Sequence, residues 1–348
     1  MLRHTGVKPL KGVLFMWLFR FYAMFFTVVA ISLCAATAEN QGSAEGASPG
    51  DPLVVRLGFP SDARVLIING DDFGMNHATN EGTIKALKSG GITSATVMVP
   101  CPWFLEAAEF ARKNPKANIG VHTTLTSEWG RYKWGPVVGW KAAPSLCDPM
   151  GYFWDDVPLV YLSATLEDVE KEVRAQIDKA MQAGIDITHI DSHMGTMQYM
   201  PAYHELYIRI AKDYNLPCRM AGRDLMDRFG GGYLIDMADK MGVLHPDVLY
   251  MDDPPSLEAT ESFWKERIQG LQPGKVSEIY IHCAVESPEI RATTGSAGRR
   301  IADTDFFSNP ETRKWILEQG VELISYRELR HLQREGKPMS RTPIEPWE

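Results

Sequence analysis

From Val65 onward, short runs of β-formers alternate with stretches of helical spacing, and this rhythm constrains the chain more than any other feature. Strands are expected at Val65–Asn69, Ser94–Val99, Asn118–His122, Ile187–Asp191, Cys218–Ala221, Val248–Met251, Ile279–His282 and Val321–Ser325. Helices fall between them. The clearest runs from Ala164 to Ala183, with Leu166, Val169, Val173, Ile177 and Met181 on one face and Gly184 as its stop. Others are expected at Phe104–Lys113, Pro201–Asp213 and Glu311–Gln319. Strands separated by helices pair in parallel through right-handed crossovers. Seven or eight such units favour a distorted, TIM-like (β/α) barrel in a single α/β domain over an open doubly wound sheet. No G-x-G-x-x-G follows the first strand, so a dinucleotide fold has little support.

In parallel α/β folds, chemistry collects at the carboxyl ends of strands. The groups found there are Asp71 and Asp72, His122, Asp191 and His193, Arg219, Asp252 and Asp253, and His282. Two adjacent carboxylates at the end of a core strand repel each other and demand a cation or a proton. In His189-Ile-Asp191-Ser-His193, alternate residues share a strand face, so the three polar side chains are expected to point together. One carboxylate and two imidazoles make an open metal set with room for water and substrate. The second carboxylate of the pair then stands beside that water as a general base, and His282 is the candidate acid or else a capped core histidine.

The quoted motifs resemble, in order, those of the YdjC-like carbohydrate deacetylases, relatives of the polysaccharide deacetylases. Asn69-Gly-Asp-Asp-Phe-Gly74 is similar to N-A-D-D-F-G, and Thr93-Ser-Ala-Thr to T-S-x-T. Gly120-Val-His-Thr-Thr-Leu-Thr126 is similar to G-x-H-x-x-L-T, and Thr188-His-Ile-Asp-Ser-His193 to T-H-x-D-S-H. The resemblance extends through Ile281-His282 and Leu323-Ile-Ser-Tyr-Arg-Glu-Leu329. It implies a divalent metal on Asp72, His122 and His193, with Asp71 as base and His282 near the leaving group. Zinc or magnesium heads the choice of ion, with cobalt, nickel and manganese also suited. The implied activity is removal of N-acetyl groups from short amino-sugar oligosaccharides. The alternatives are a metal hydrolase acting on another bond, or a catalytically weak sugar-binding protein. Two departures stand out: Met194-Gly195-Thr196 replaces further histidines, and Cys283-Ala284 replaces Pro-Gly or Pro-Ala after the late His.

Residues 127–158 break the rhythm with Trp129, Tyr132, Trp134, Trp140, Tyr152, Phe153 and Trp154. This insertion reads either as a platform for pyranose faces or as a packed loop with its own small core. His189, Asp191, Arg219, Arg300 and Asp303 are candidates for supporting the site or binding substrate, and the last three for pairing with one another.

Before the fold, Arg3, Lys8, Lys11 and Arg20 precede an apolar run from Phe21 to Cys34 and the small residues Ala35-Ala-Thr-Ala38. This is the order of an export signal cut after Ala38. A flexible linker is expected over residues 39–60, the domain over 61–335 and a tail over 336–348. An exported, periplasmic or extracellular protein follows, without stable membrane insertion after cleavage. The net charge of -8 disfavours a nucleic-acid partner. The partner expected is an acetylated amino-sugar oligosaccharide, with a homodimer left open. Beyond residue 38, Cys101, Cys147, Cys218 and Cys283 show no framework spacing, and their pairing is left open.

Overall fold

A computed structural model describes residue 48 and residues 50–347; the leader expected over 1–38 lies outside the described residues. Seven strands form one parallel sheet: β1 (Arg64–Phe73), β2 (Ser94–Val97), β3 (Ile119–Thr123), β4 (Ile187–Ser192), β5 (Val248–Tyr250), β6 (Lys275–His282) and β7 (Val321–Leu323). The order is β4-β3-β2-β1-β6-β5, with β7 against the lower end of β1. β1 is buried along nearly its whole length, and both of its faces are apolar, as a central parallel strand requires. Leu66 and Ile68 face the helical layer, whereas Val65 and Ile67 face the inside of the curved sheet.

The sheet is a half-barrel. The strand expected at Cys218–Ala221 is reduced to a single parallel bridge between Ile190 and Cys218. Pro217 has no N–H to extend the ladder, and Cys218 N–H donates instead to the carbonyl of Leu244 (3.0 Å). The edges formed by β4 and β5 therefore do not meet.

Both ends of the described chain close the floor. The linker expected to reach residue 60 folds from Leu53, where a short helix, α1 (Leu53–Arg56), buries Leu53 and Val54. These side chains and Phe59 pack with Val65, Ile67, Val276, Tyr326, Leu329 and Leu332. The last three belong to a late helix (Tyr326–Glu335) that begins with a Ser325–Glu328 capping box. Tyr326 stands inside the half-barrel, its ring stacked on His189 at 3.7 Å and its hydroxyl bonded to Glu278. The expected tail is also packed: Trp347 N–H donates to the carbonyl of Lys88 (2.8 Å), and the Arg341 guanidinium lies 3.7 Å from the Phe59 ring.

The helical layer includes α2 (His77–Lys88), α3 (Phe104–Lys113), α4 (Val157–Ser163), α5 (Leu166–Gln182) and α6 (Pro201–Asp213). Among the described residues no helix is long and apolar enough to cross a membrane. The four described cysteines are buried and free.

One glycine shows how tightly the inner layer is set. A Cβ on Gly120 would lie 2.5 Å from His189 Nδ1 and 2.7 Å from its carbonyl oxygen. Gly120→Ala is expected to destabilise the protein by about 1–3 kcal/mol through overpacking, read as a lower midpoint in urea unfolding.

Candidate metal centre and active site

The Asp-Asp pair reaches one mouth through a local break in β1. The β1–β2 pairing is regular at Asn69 and Gly70 and resumes out of step at Phe73, so Asp71 and Asp72 sit in a bulge. Asp72 adopts φ 64°, a left-handed conformation that aspartate tolerates better than most residues. Without that break, adjacent strand residues would face opposite sides of the sheet.

Three groups converge at this mouth. Asp72 Oδ1 lies 3.3 Å from His122 Nε2 and 3.3 Å from His193 Nδ1, and the two ring nitrogens are 3.2 Å apart. All three side chains are buried. Each imidazole has its other nitrogen on a carboxylate: His122 Nδ1 on Asp191 Oδ1 (2.6 Å) and His193 Nε2 on Glu128 Oε1 (3.0 Å). With those nitrogens donating, the inward-facing ones present bare lone pairs beside Asp72 Oδ1, which has no hydrogen-bond donor among the described residues. Ligands at 2.0–2.1 Å from a tetrahedral ion are about 3.3–3.4 Å apart, close to this triangle. The residues fit a divalent ion.

The charge balance points the same way. Asp71, Asp72, Glu128, Asp191 and Glu278 are buried or nearly so beside two guanidiniums, Arg219 and Arg300. With neutral imidazoles and all five acids ionised the excess is three negative charges; burial lifts Glu278 to about 7, and with it protonated the excess is two, which a divalent cation cancels. Burial pulls both imidazole pKa values down, but their carboxylate neighbours win, raising His122 to about 10 and His193 to about 9. This pocket favours positive charge.

Asp71 stands apart from the triangle, yet offers an oxygen within 4.8 Å of ligand atoms on His122 and Asp191. Arg219 clamps it through Nη1 to Oδ2 and Nη2 to Oδ1, both 2.8 Å, and Asn69 Nδ2 donates to Oδ1 at 2.8 Å. Burial opposes ionisation, but this clamp holds the carboxyl well below the usual range. Arg219 also reaches Glu278 (2.8 Å) and Asp191 (3.1 Å). His282 pairs in register with Asp71 across β1 and β6, and its Nε2 is 3.9 Å from Asp72 Oδ2. Burial and the Arg300 charge push the His282 pKa down to about 4.

Several expected neighbours lie elsewhere. His189 shares its strand face with Asp191 but sits one layer deeper, stacked on Tyr326, and burial keeps it neutral. His193 lies past β4, in a tight turn with Met194 at φ 53°. Arg219, Arg300 and Asp303 do not pair with one another. Arg219 serves Asp71, Arg300 Nη2 donates to Asp72 Oδ2 (2.7 Å), and Asp303 accepts from Trp264 Nε1 (2.8 Å) away from the mouth. Asp252 and Asp253 form exposed pairs with Arg267 and Arg299.

The insertion is mainly a packed loop. Trp134 and Phe153 are buried, and Trp134 Nε1 donates to the carbonyl of Thr126 (3.0 Å). Glu172 on α5 accepts from Val137 N–H (2.9 Å) and Val138 N–H (3.1 Å). Two of its residues nevertheless reach the mouth: Glu128, on His193, and Trp129, whose ring lies 6.4 Å from that imidazole. Glu128 carries no motif that marks it in the sequence. The departure Cys283-Ala284 lies under the site, with the Ala284 backbone against Gly82 and its N–H on Thr304 Oγ1 (2.9 Å).

The YdjC-like protein family model matches residues 65–318, most of the chain. The chain belongs to the YdjC-like family. An Enterococcus faecalis carbohydrate deacetylase is 33% identical over 266 residues, covering 76% of this chain and 97% of the relative. A Thermus thermophilus carbohydrate deacetylase is 32% identical over 277 residues, covering 76% and 94%. A crystal structure from E. faecalis, of a protein whose name refers to cellobiose-phosphate cleavage, superposes with a TM-score of 0.66 at 31% identity, over 77% of this chain and 99% of that one. The YdjC-like match spans every strand-end group described above and stops short of the late helix and the tail.

The Asp191 contact makes a prediction. Asp191→Asn keeps the shape but loses the charge behind His122, so metal affinity is expected to fall about 10–100-fold. Calorimetric titration of metal-free protein measures it, and unchanged affinity would remove Asp191 from that role.

Proposed function

We propose that this protein is a metal-dependent carbohydrate deacetylase that hydrolyses N-acetyl groups on short amino-sugar oligosaccharides. The observation that carries the reading is the convergence of Asp72, His122 and His193 with a separate, ionised carboxylate, Asp71, beside them. Asp72, His122 and His193 would hold one divalent ion, with zinc or magnesium suited to the mixed oxygen and nitrogen donors. Bound there, the ion would supply Lewis acidity that makes water more acidic and polarises an acyl carbonyl.

The remaining steps belong to side chains. Asp71, kept anionic and fixed in orientation by Arg219, accepts a proton from the attacking water. His282 stands on the neighbouring strand to protonate the departing nitrogen. Burial and the Arg300 charge hold its pKa down at about 4, so it rests uncharged at neutral pH and takes up a proton during the reaction, the one released from the attacking water, before it passes a proton to the nitrogen. The Trp129 ring stands at the mouth, 6.4 Å from the His193 imidazole, and its aromatic surface suits the apolar face of a sugar ring. Glycosidic cleavage is disfavoured: it calls for two carboxylates flanking the bond, whereas Asp71 and Asp72 are adjacent and each is tied to its own guanidinium. The basic–apolar–small order of residues 1–38 supports export, so the sugar would be met in the periplasm or outside the cell.

The test is a product assay on N-acetylated chitooligosaccharides with and without chelator. Loss of one acetyl group per turnover, abolished by chelator and restored by metal, is expected. Shortened chains with their acetyl groups intact would replace this reading with glycoside hydrolysis.

A further inference from the structure

Arg300 has a donor that nothing in the described protein uses. It lies on the helix Ala297–Phe307, whose buried face carries Arg300, Asp303, Thr304 and Phe307. Its Nε donates to Ser296 Oγ (3.0 Å) and its Nη2 to Asp72 Oδ2 (2.7 Å). Its Nη1 is buried and has no partner. The two terminal nitrogens of a planar guanidinium are about 2.3 Å apart, so Nη1 stands no more than about 5 Å from Asp72 Oδ2. The groups around it are those of the mouth. The Trp129 ring lies 5.9 Å from the guanidinium, and His282 Nε2 lies 3.9 Å from the same Asp72 oxygen.

We propose that Arg300 works in two directions: Nη2 fixes Asp72 so that only Oδ1 faces the imidazoles, and Nη1 donates to the acyl oxygen of the substrate as that oxygen becomes negative. The second half rests on the deacetylase reading above. The first accounts for the bare Oδ1, because the guanidinium occupies Oδ2 and leaves a single carboxylate oxygen toward His122 and His193. The second accounts for the orphaned donor. A buried N–H without an acceptor carries an uncompensated desolvation cost, and that cost is relieved when an acceptor arrives. An acceptor that gains charge during the reaction gains most from a donor already fixed in a dry site. Ser296, Asp72 and the surrounding helix face fix this one before substrate enters.

The test uses full-length Arg300→Lys and Arg300→Gln, each checked by thermal melting and loaded with saturating metal. Lysine keeps the charge and can reach Asp72, but it cannot serve two sites with a rigid fork. The expected result is a fall in kcat of about 10²–10³-fold with little change in KM. The methylphosphonamide of glucosamine, whose tetrahedral phosphoryl oxygens mimic the charged acyl oxygen, should bind both variants more weakly by a similar factor. Metal affinity, measured separately by calorimetry, should fall more for glutamine than for lysine. Variants that match wild type in kcat and phosphonamide affinity once metal is saturating would overturn the substrate contact and leave only the hold on Asp72. Wild-type protein that binds metal but releases no acetate would instead sink the deacetylase reading, a separate failure.

Discussion

Asp71→Asn is expected to keep its metal and lose about 10²–10⁴-fold in turnover, the range for removing a general base. The substitution preserves size, and its remaining oxygen can still accept from Arg219 Nη2 and Asn69 Nδ2, while its amide nitrogen gives up the acceptor that faced Arg219 Nη1. It cannot accept a proton as the carboxylate does. Asp71 is not one of the three converging ligand atoms, and metal content should stay near that of wild type. Elemental analysis and a deacetylation assay on the same sample separate the two properties. Near wild-type turnover would remove Asp71 from the base role, and loss of metal would make it a ligand.

Arg219→Met is expected to have the largest effect on stability, about 3–5 kcal/mol, because it strips a buried cation from carboxylates that stay behind. Three lose this guanidinium together: Asp71, Asp191 and Glu278. The pH dependence should change with it. The folded pKa of Asp71 lies below its unfolded value, so the clamp contributes stability that is present above about pH 4 and is lost only as pH falls through the depressed folded value. In Arg219→Met that contribution is gone at neutral pH, and the acid limb of the stability curve should flatten. Urea midpoints at neutral pH measure the first, and a series carried down below about pH 3 measures the second. A variant as stable as wild type would show that the three carboxylates are satisfied without the guanidinium.

The sequence made the strand-end groups readable because a parallel α/β fold sends successive strand ends to one mouth. Asp71, His122, Asp191 and His282 arrive there by strand position, and Asp72 joins them through the bulge in β1. His189 shows the limit of that logic. Two residues along a strand share a face but lie about 6.6–6.8 Å apart along it, enough to put His189 in the layer filled by Tyr326 while Asp191 touches His122. Glu128 shows another limit: it meets His193 from a loop whose path depends on Glu172 and Trp134, contacts with no local signature. The aromatic residues of the insertion were visible as a group, but their composition does not separate Trp129 at the mouth from Trp134 in the loop core. The missing fifth strand depends on Pro217 and on where Leu244 returns, a matter of long-range geometry.

The backbone at Asp72 narrows what evolution or design can do at this centre. A left-handed residue in a packed bulge admits glycine, asparagine and aspartate with least strain, and of these only aspartate brings a charge. Selection for a carboxylate and selection for a backbone shape therefore act on the same residue, and neither can drift without the other. Exchanging this ligand for glutamate, to lengthen the reach or admit a larger ion, would first require a different turn at the end of β1. The identity of the first ligand is thus written into the chain's path as much as into its chemistry, and attempts to retune the ion are better directed at His122 and His193.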